Sequence, residues 1–166
     1  MKKMAVVISL LLLTLAVAAQ TAAQPSLTVI RAGALIDGKS DSARRDQIIV
    51  IRGNRIESVA DAASAKIPSG ANVIDLSHST VLPGLIDSHT HIFLQGEAPA
   101  EGGYDANILK YPLAFRAARA TVSVRRALEQ GFTTLRDLET EGAGYGDVGI
   151  KQEIEGGYIP GPRLFV

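Results

Sequence analysis

The residues of this chain best suited to chemistry near neutral pH are its three histidines, His78, His89 and His91. His89 and His91 are separated by one residue within Gly84-Leu-Ile-Asp-Ser-His-Thr-His-Ile92, a run with no breaker after Gly84 and therefore a predicted strand. Strand side chains alternate between faces, so residues two apart point the same way and both imidazoles can reach a single metal ion. Neutral imidazole suits zinc and similar ions, at about 2.0–2.1 Å. Asp87, two residues earlier, is expected on the same face. The opposite face, Ile86, Ser88, Thr90 and Ile92, is expected to pack under helices. A metal site needs three or more protein ligands, and His-x-His supplies two. Alone, the pattern also fits two polar residues at a strand end. His78, in Asp75-Leu-Ser-His-Ser-Thr80, is expected in an exposed turn.

The sequence has no cysteine. That excludes disulfide scaffolds, thiol nucleophiles, cysteine-ligated zinc and iron–sulfur clusters. Lys+Arg and Asp+Glu are both 17, and Lys2 and Lys3 lie in the first 24 residues, where no acid occurs; the remainder carries 15 bases against 17 acids, net −2. Such a balance gives no electrostatic case for nucleic acid or an anionic membrane surface as partner.

The elements that must position the histidines follow from patterning. Residues 1–24 have a basic head, an apolar run from Met4 to Ala19, and small residues at Ala16-Val17-Ala18 and Thr21-Ala22-Ala23, the three-part form of a secretory signal. Export to a periplasmic or extracellular location, with no membrane attachment after cleavage, is expected. Residues 25–82 read as a small β domain, a sheet or β-sandwich-like and incomplete on its own. Its strands are expected at Leu27 to Arg31, Gln47 to Arg52, Arg55 to Ala60 and around Val73 to Leu76, with Gly53-Asn54 as a hairpin turn.

From residue 83 the pattern changes to strand, helix, strand, helix, strand, the alternation of an α/β fold with parallel strands. The helices are expected at Tyr111 to Gln130, with Leu113, Ala117, Thr121, Val124 and Leu128 on its apolar side, and at Asp147 to Glu155. Arg116, Arg119, Arg125 and Arg126 are expected on a solvated outer face. Strands are expected at Phe132 to Leu138 and from Arg163. Glu97, Glu101 and Tyr104 read as a solvated loop, Thr140 to Gly146 as a flexible glycine-containing loop, and Arg136 and Asp137 as a structural ion pair.

Val81-Leu-Pro-Gly-Leu-Ile-Asp-Ser-His-Thr-His91 closely resembles the first barrel strand of the metal-dependent amidohydrolase superfamily. Gly131-Phe-Thr-Thr-Leu-Arg-Asp-Leu138 resembles the second strand, and Ile159-Pro-Gly-Pro-Arg163 the approach to the third in the imidazolonepropionase-like and Xaa-Pro dipeptidase-like branch. The resemblance implies that residues 83–166 are the N-terminal part of a (β/α)8 barrel, its first two βα units. It also implies that His89 and His91 are metal ligands and that one or two divalent ions, usually zinc, are bound. Asp87 then has a supporting role, orienting the site or filling the barrel base. The implied reaction is hydrolysis of an amide, peptide or cyclic amide by metal-activated hydroxide, on a small-molecule or dipeptide substrate.

The remaining ligands in such enzymes come from later strands, and no histidine follows His91. A complete barrel takes about 250 residues. The chain is therefore expected to be a fragment that is inactive alone. The competing readings are a non-catalytic secreted fragment or interaction module, and a cupin-type metal barrel. The latter is disfavoured because the spacing from His91 to Glu97 is too long and helices follow.

Overall fold

A computed structural model describes residues 25–166; the expected export signal, residues 1–24, lies outside the described residues. The structure is mixed α/β and divides into two compact units between Leu82 and Pro83.

The first unit contains β1 (Leu27–Leu35), β2 (Arg44–Arg52), β3 (Arg55–Asp61) and β4 (Asn72–Val81). They form one sheet in the order β3-β2-β1-β4, antiparallel except for the parallel β1/β4 pair. The β2/β3 hairpin closes at Arg52 and Arg55 through Gly53, whose φ of 60° is the left-handed conformation a tight turn requires. Val29, Ile48 and Val50 form the buried cluster, with Leu27, Ala65 and Ala71 packed against it.

Of the two expected forms, a sheet or a sandwich, the described residues form the sheet. A sandwich needs a second sheet about 10 Å away, whereas all four described strands join one ladder, because both edges of β1 are taken, by β2 and β4. Ile56, Val73 and Ile74 remain exposed.

β4 also corrects the placement of His78. Ala32 pairs with Leu76 and Ala34 with Thr80, so β4 carries two extra residues opposite Gly33. A Cβ on Gly33 would lie 2.1 Å from the Ser77 carbonyl oxygen. His78 is exposed within this bulged stretch of strand, not in a separate turn. The bulge interrupts alternation, which is why the segment reads as a turn.

The second unit runs β5 (Leu85–Thr90), α1 (Gly103–Lys110), α2 (Leu113–Glu129), β6 (Phe132–Asp137), α3 (Gly146–Glu155) and β7 (Arg163–Phe165). The strands are parallel in the order β5-β6-β7. Phe93, Ala120, Val124, Leu135, Ile150 and Leu164 belong to one buried cluster between the sheet and the helices.

α1 was not expected from the sequence. Eight residues between paired glycines and Tyr111-Pro112 are too few for an apolar period to stand out. α2 starts after Pro112, whose fixed φ of −65° suits a helix entry, and is followed by Gly131 at φ 93°. Its inward face agrees with the expected one at Val124, which is buried, and Ala117, which packs against the core, but is rotated at its start. Arg116, Ala120 and Val124, four apart, are buried, whereas Leu113 is 51% exposed.

Candidate metal centre

β5 carries His89 and ends at Thr90; His91 is the first residue beyond it. This strand end is tied to the end of β6 by three hydrogen bonds. The Thr90 hydroxyl donates to the Arg136 carbonyl at 3.0 Å, and Leu138 N–H donates to the Thr90 carbonyl at 3.1 Å. Ile92 N–H donates to Asp137 Oδ1 at 2.9 Å. The segment that presents both imidazoles is therefore fixed on each side.

The two rings lie edge to face, with centroids 5.3 Å apart and planes at 63°. Two imidazoles sharing one tetrahedral ion, each bound at about 2.0–2.1 Å, would have centroids roughly 5 Å apart. The pair thus fits two adjacent ligand positions. His89 is exposed and the His91 side chain is 27% exposed, so a ring nitrogen of each is open to a ligand. Among the described residues, no group of three or more His, Asp and Glu converges into a full site.

His91 Nδ1 lies 3.3 Å from the Glu139 carbonyl oxygen and 3.3 Å from Glu141 Oε1. Both neighbours are acceptors, so Nδ1 carries the hydrogen and Nε2 keeps its lone pair for a metal. The second Glu141 oxygen accepts the Tyr104 hydroxyl, and this contact pushes the tyrosine pKa up.

Asp87 shares a hollow with His91. It accepts the His89 backbone N–H at 3.1 Å. Its register partner is Leu135, a core residue, and the β5/β6 register then shifts by one before Thr90 pairs with Asp137. That irregularity interrupts the strict alternation between Asp87 and His91, yet both still line one hollow. Asp87 lines, with His91, Ser123, Arg126 and Leu135, a hollow of about 300 Å³ beside α2. Ile86, expected beneath helices, is 71% exposed; with Ser88, Thr134 and Arg136 it lines the other side of the sheet, while Ile92 does enter the core.

Three further expectations are corrected. Arg116 is not on an outer face: it is 3% exposed, and its guanidinium donates to the carbonyls of Thr140 at 3.2 Å and Glu141 at 2.8 Å while lying over the Phe93 ring. Two carbonyl acceptors and an aromatic face compensate the buried charge. Arg136 and Asp137 form no ion pair, because neighbours on a strand face opposite sides: Arg136 is exposed and Asp137 is buried. Burial pushes the Asp137 carboxyl up to about 6. Glu97 is not freely solvated: its side chain is 10% exposed, accepts the Gln95 backbone N–H at 3.0 Å and lies 4.0 Å from Arg119.

Glu139 and Glu141 were not singled out by sequence reasoning. The available signal was two acids directly after a strand end, where parallel α/β folds gather functional groups.

The sequence model of the amidohydrolase family matches residues 80–166, more than half of the chain. The chain belongs to the amidohydrolase family. An imidazolonepropionase of Streptomyces coelicolor is 34% identical over 94 residues, 54% of this amidohydrolase-family chain and 23% of the relative. A D-aminoacylase of Alcaligenes xylosoxydans xylosoxydans is 39% identical over 72 residues, covering 43% and 14%. Among solved structures, a Xaa-Pro dipeptidase with methionine bound in its active site superposes with a TM-score of 0.74 at 34% identity, over 84% of this chain and 32% of that one. An Aspergillus niger ochratoxinase superposes with a TM-score of 0.65 at 27% identity, covering 85% and 31%. The chain thus spans less than a third of the length of these relatives.

Proposed function

We propose that residues 83–166 are the opening of a (β/α)8 barrel of an exported, metal-dependent amidohydrolase, and that His89 and His91 are two of its metal ligands. The observation that carries this reading is the pair of facing imidazoles, 5.3 Å apart at the C-terminal end of the first parallel strand of a family-matched unit. In barrel enzymes, that end of the strands holds the catalytic groups.

His89 and His91 would hold a divalent ion, zinc being the usual choice for imidazole, which would supply Lewis acidity and lower the pKa of bound water toward about 7. The chain's own residues do the rest of what can be derived. His89 and His91 offer neutral nitrogens. The Glu139 carbonyl and the Glu141 carboxylate keep the hydrogen of His91 on Nδ1. The hydrogen bonds of Thr90 and Asp137 hold the turn after β5 in register with β6. Asp87 acts from behind, through the His89 backbone, in a supporting role and not as a ligand.

The reaction class we propose is hydrolysis of a C–N bond in a dipeptide, acylated amine or cyclic amide. The imidazolonepropionase, D-aminoacylase and Xaa-Pro dipeptidase relatives support that class. The signal-like residues 1–24 support export. The described residues contribute two of at least three ligands, so we expect no turnover from residues 25–166 alone.

Zinc titration followed by histidine side-chain resonances tests the ligand assignment. His89 and His91 should shift together at substoichiometric to stoichiometric zinc, while His78, exposed in the other unit, should not. An equal response of all three, or none from His89 and His91, overturns the reading.

A further inference from the structure

We propose that Glu141 is the positioning residue for His91: its carboxylate fixes the tautomer and orientation of that imidazole, and Tyr104 braces the carboxylate from the far side. The consequence for metal binding rests on the proposed function; the statement about the tautomer does not.

Four observations converge on this residue. Its side chain is only 9% exposed, unusual for glutamate; one oxygen lies 3.3 Å from His91 Nδ1 as a charge neighbour and the other accepts the Tyr104 hydroxyl. Its backbone has φ 52°, a left-handed conformation that is strained for a non-glycine residue. The next residue, Gly142, has φ 75°. A glycine at 141 would meet the same turn without strain, so what the strained position gains is the carboxylate. The buried Arg116 guanidinium grips the carbonyls of Thr140 and Glu141 and sets the angle at which the side chain leaves the loop. Three separate segments, α1, α2 and the loop after β6, thereby act on one ring at the end of β5.

Carboxylate–histidine–metal arrangements work in this way. The carboxylate accepts the hydrogen of the non-ligating nitrogen, which fixes the ring and strengthens the other nitrogen as a donor, and losing such a partner typically weakens metal binding about 10–100-fold. Here the Glu139 carbonyl is the hydrogen-bonded acceptor of Nδ1, which no side-chain substitution removes, and Glu141 adds its charge beside it. Loss of Glu141 should therefore loosen the ring without freeing it completely.

Glu141→Gly is the discriminating variant, because it deletes the carboxylate while relieving the backbone. Tyrosine fluorescence melting should show a second unit as stable as the parent, or slightly more so. Long-range nitrogen–proton spectra of the metal-free chain should show His91 moving from a single Nδ1–H tautomer to a mixture, with His78 unchanged. Zinc affinity should fall about 10–100-fold. Glu141→Gln, which has one acceptor oxygen in place of two and no charge, should fall between parent and Glu141→Gly. Tyr104→Phe should give a smaller shift of the same kind.

An unchanged His91 tautomer in Glu141→Gly overturns the proposal whatever happens to zinc. Unfolding of both Glu141 variants also overturns it, by assigning a purely structural role. A tautomer shift in a chain that binds no zinc supports the positioning role and refutes the metal assignment instead.

Discussion

The two units solve the same problem with different materials. The first has no aromatic residue; its buried positions are small and branched aliphatics, Val29, Ala32, Ile48, Ile49 and Val50, and its ion pairs Arg44–Asp37, Arg44–Asp61 and Arg52–Glu57 lie largely in solvent. Gln47 is its one buried polar side chain among the described residues, tied to the Asp61 carboxylate and the Arg45 carbonyl. The second unit holds all four tyrosines and all four phenylalanines, and buries Asn107, Arg116 and Asp137. Each of those three contacts a segment next to the histidine pair: Asn107 the Phe93 carbonyl, Arg116 the Glu141 carbonyl, Asp137 the Ile92 amide. Burying polar groups disfavours folding unless they are fully paired. Four of the five buried side-chain atoms left without a partner belong to the second unit. The departures from a simple apolar core thus collect around the proposed site, as expected where a sequence is constrained by more than stability.

The largest effect should come from the packing on which that site stands. Phe93 is fully buried, follows the histidines by two residues, and sits so close to Gly146 that a Cβ there would meet the ring at 2.5 Å. Phe93→Ala should destabilise the second unit by about 3–5 kcal/mol. Tyrosine fluorescence reads that unit alone, because every tyrosine lies in it. A loss under about 1 kcal/mol would show that the second unit does not depend on this ring. In the first unit, the matching test is Gly33→Ala. The new methyl collides with backbone rather than a yielding side chain, and a loss of about 1–3 kcal/mol is expected from overpacking, read by amide exchange of β1 and β4. Unchanged exchange would mean that the β4 bulge gives way freely.

Next in size is Arg116→Met, which keeps the stem and removes the donors to Thr140 and Glu141. Two carbonyls lose a charged partner, so about 1–3 kcal/mol of stability should go. The loop from Thr140 to Gly146 should exchange its amides faster than α2 itself. Uniform change across both would deny Arg116 a specific hold on the loop.

The contrast between the units also explains what the sequence made legible. Regular alternation exposed the hairpin of β2 and β3, and a long apolar period exposed α2. The spacing of His89 and His91 was ambiguous alone; the Pro-Gly-Leu-Ile-Asp-Ser-His-Thr-His string around it, through its family resemblance, marked the candidate site. What stayed hidden depended on contacts far apart in the chain. Arg116 reads as a surface residue until the carbonyls of Thr140 and Glu141, about two dozen residues later, are brought to it. Glu141 reads as one more acid in a glycine-rich loop until Tyr104 and His91 are brought to it. The one-residue shift between Asp87 and Thr90 and the bulge at His78 are register events, and register is set by the neighbouring strand rather than by the strand's own residues.

The smallest effects are the most diagnostic, because the units should respond to acid in opposite directions. In the second unit, burial lifts the Asp137 carboxyl to about 6 from an ordinary 3.8. Between those values the folded state holds a proton that the unfolded state has released. Its stability therefore falls as pH rises from about 4 to 6, and the destabilisation is fully present above that window. In the first unit, the backbone amides of Ser40 and Lys39 hold the Asp37 carboxylate at about 2. There the folded state releases its proton first, so stability is present above about 4 and is lost as pH falls toward 2. Asp137→Asn should flatten the tyrosine-detected stability profile of the second unit between pH 4 and 6 and leave the first unit's acid limb in place. Asp37→Asn should flatten that acid limb alone. Should Asp137→Asn instead alter the profile only below pH 4, its carboxyl is not held up by burial, and the contrast between an apolar first unit and a polar-cored second one loses its electrostatic half.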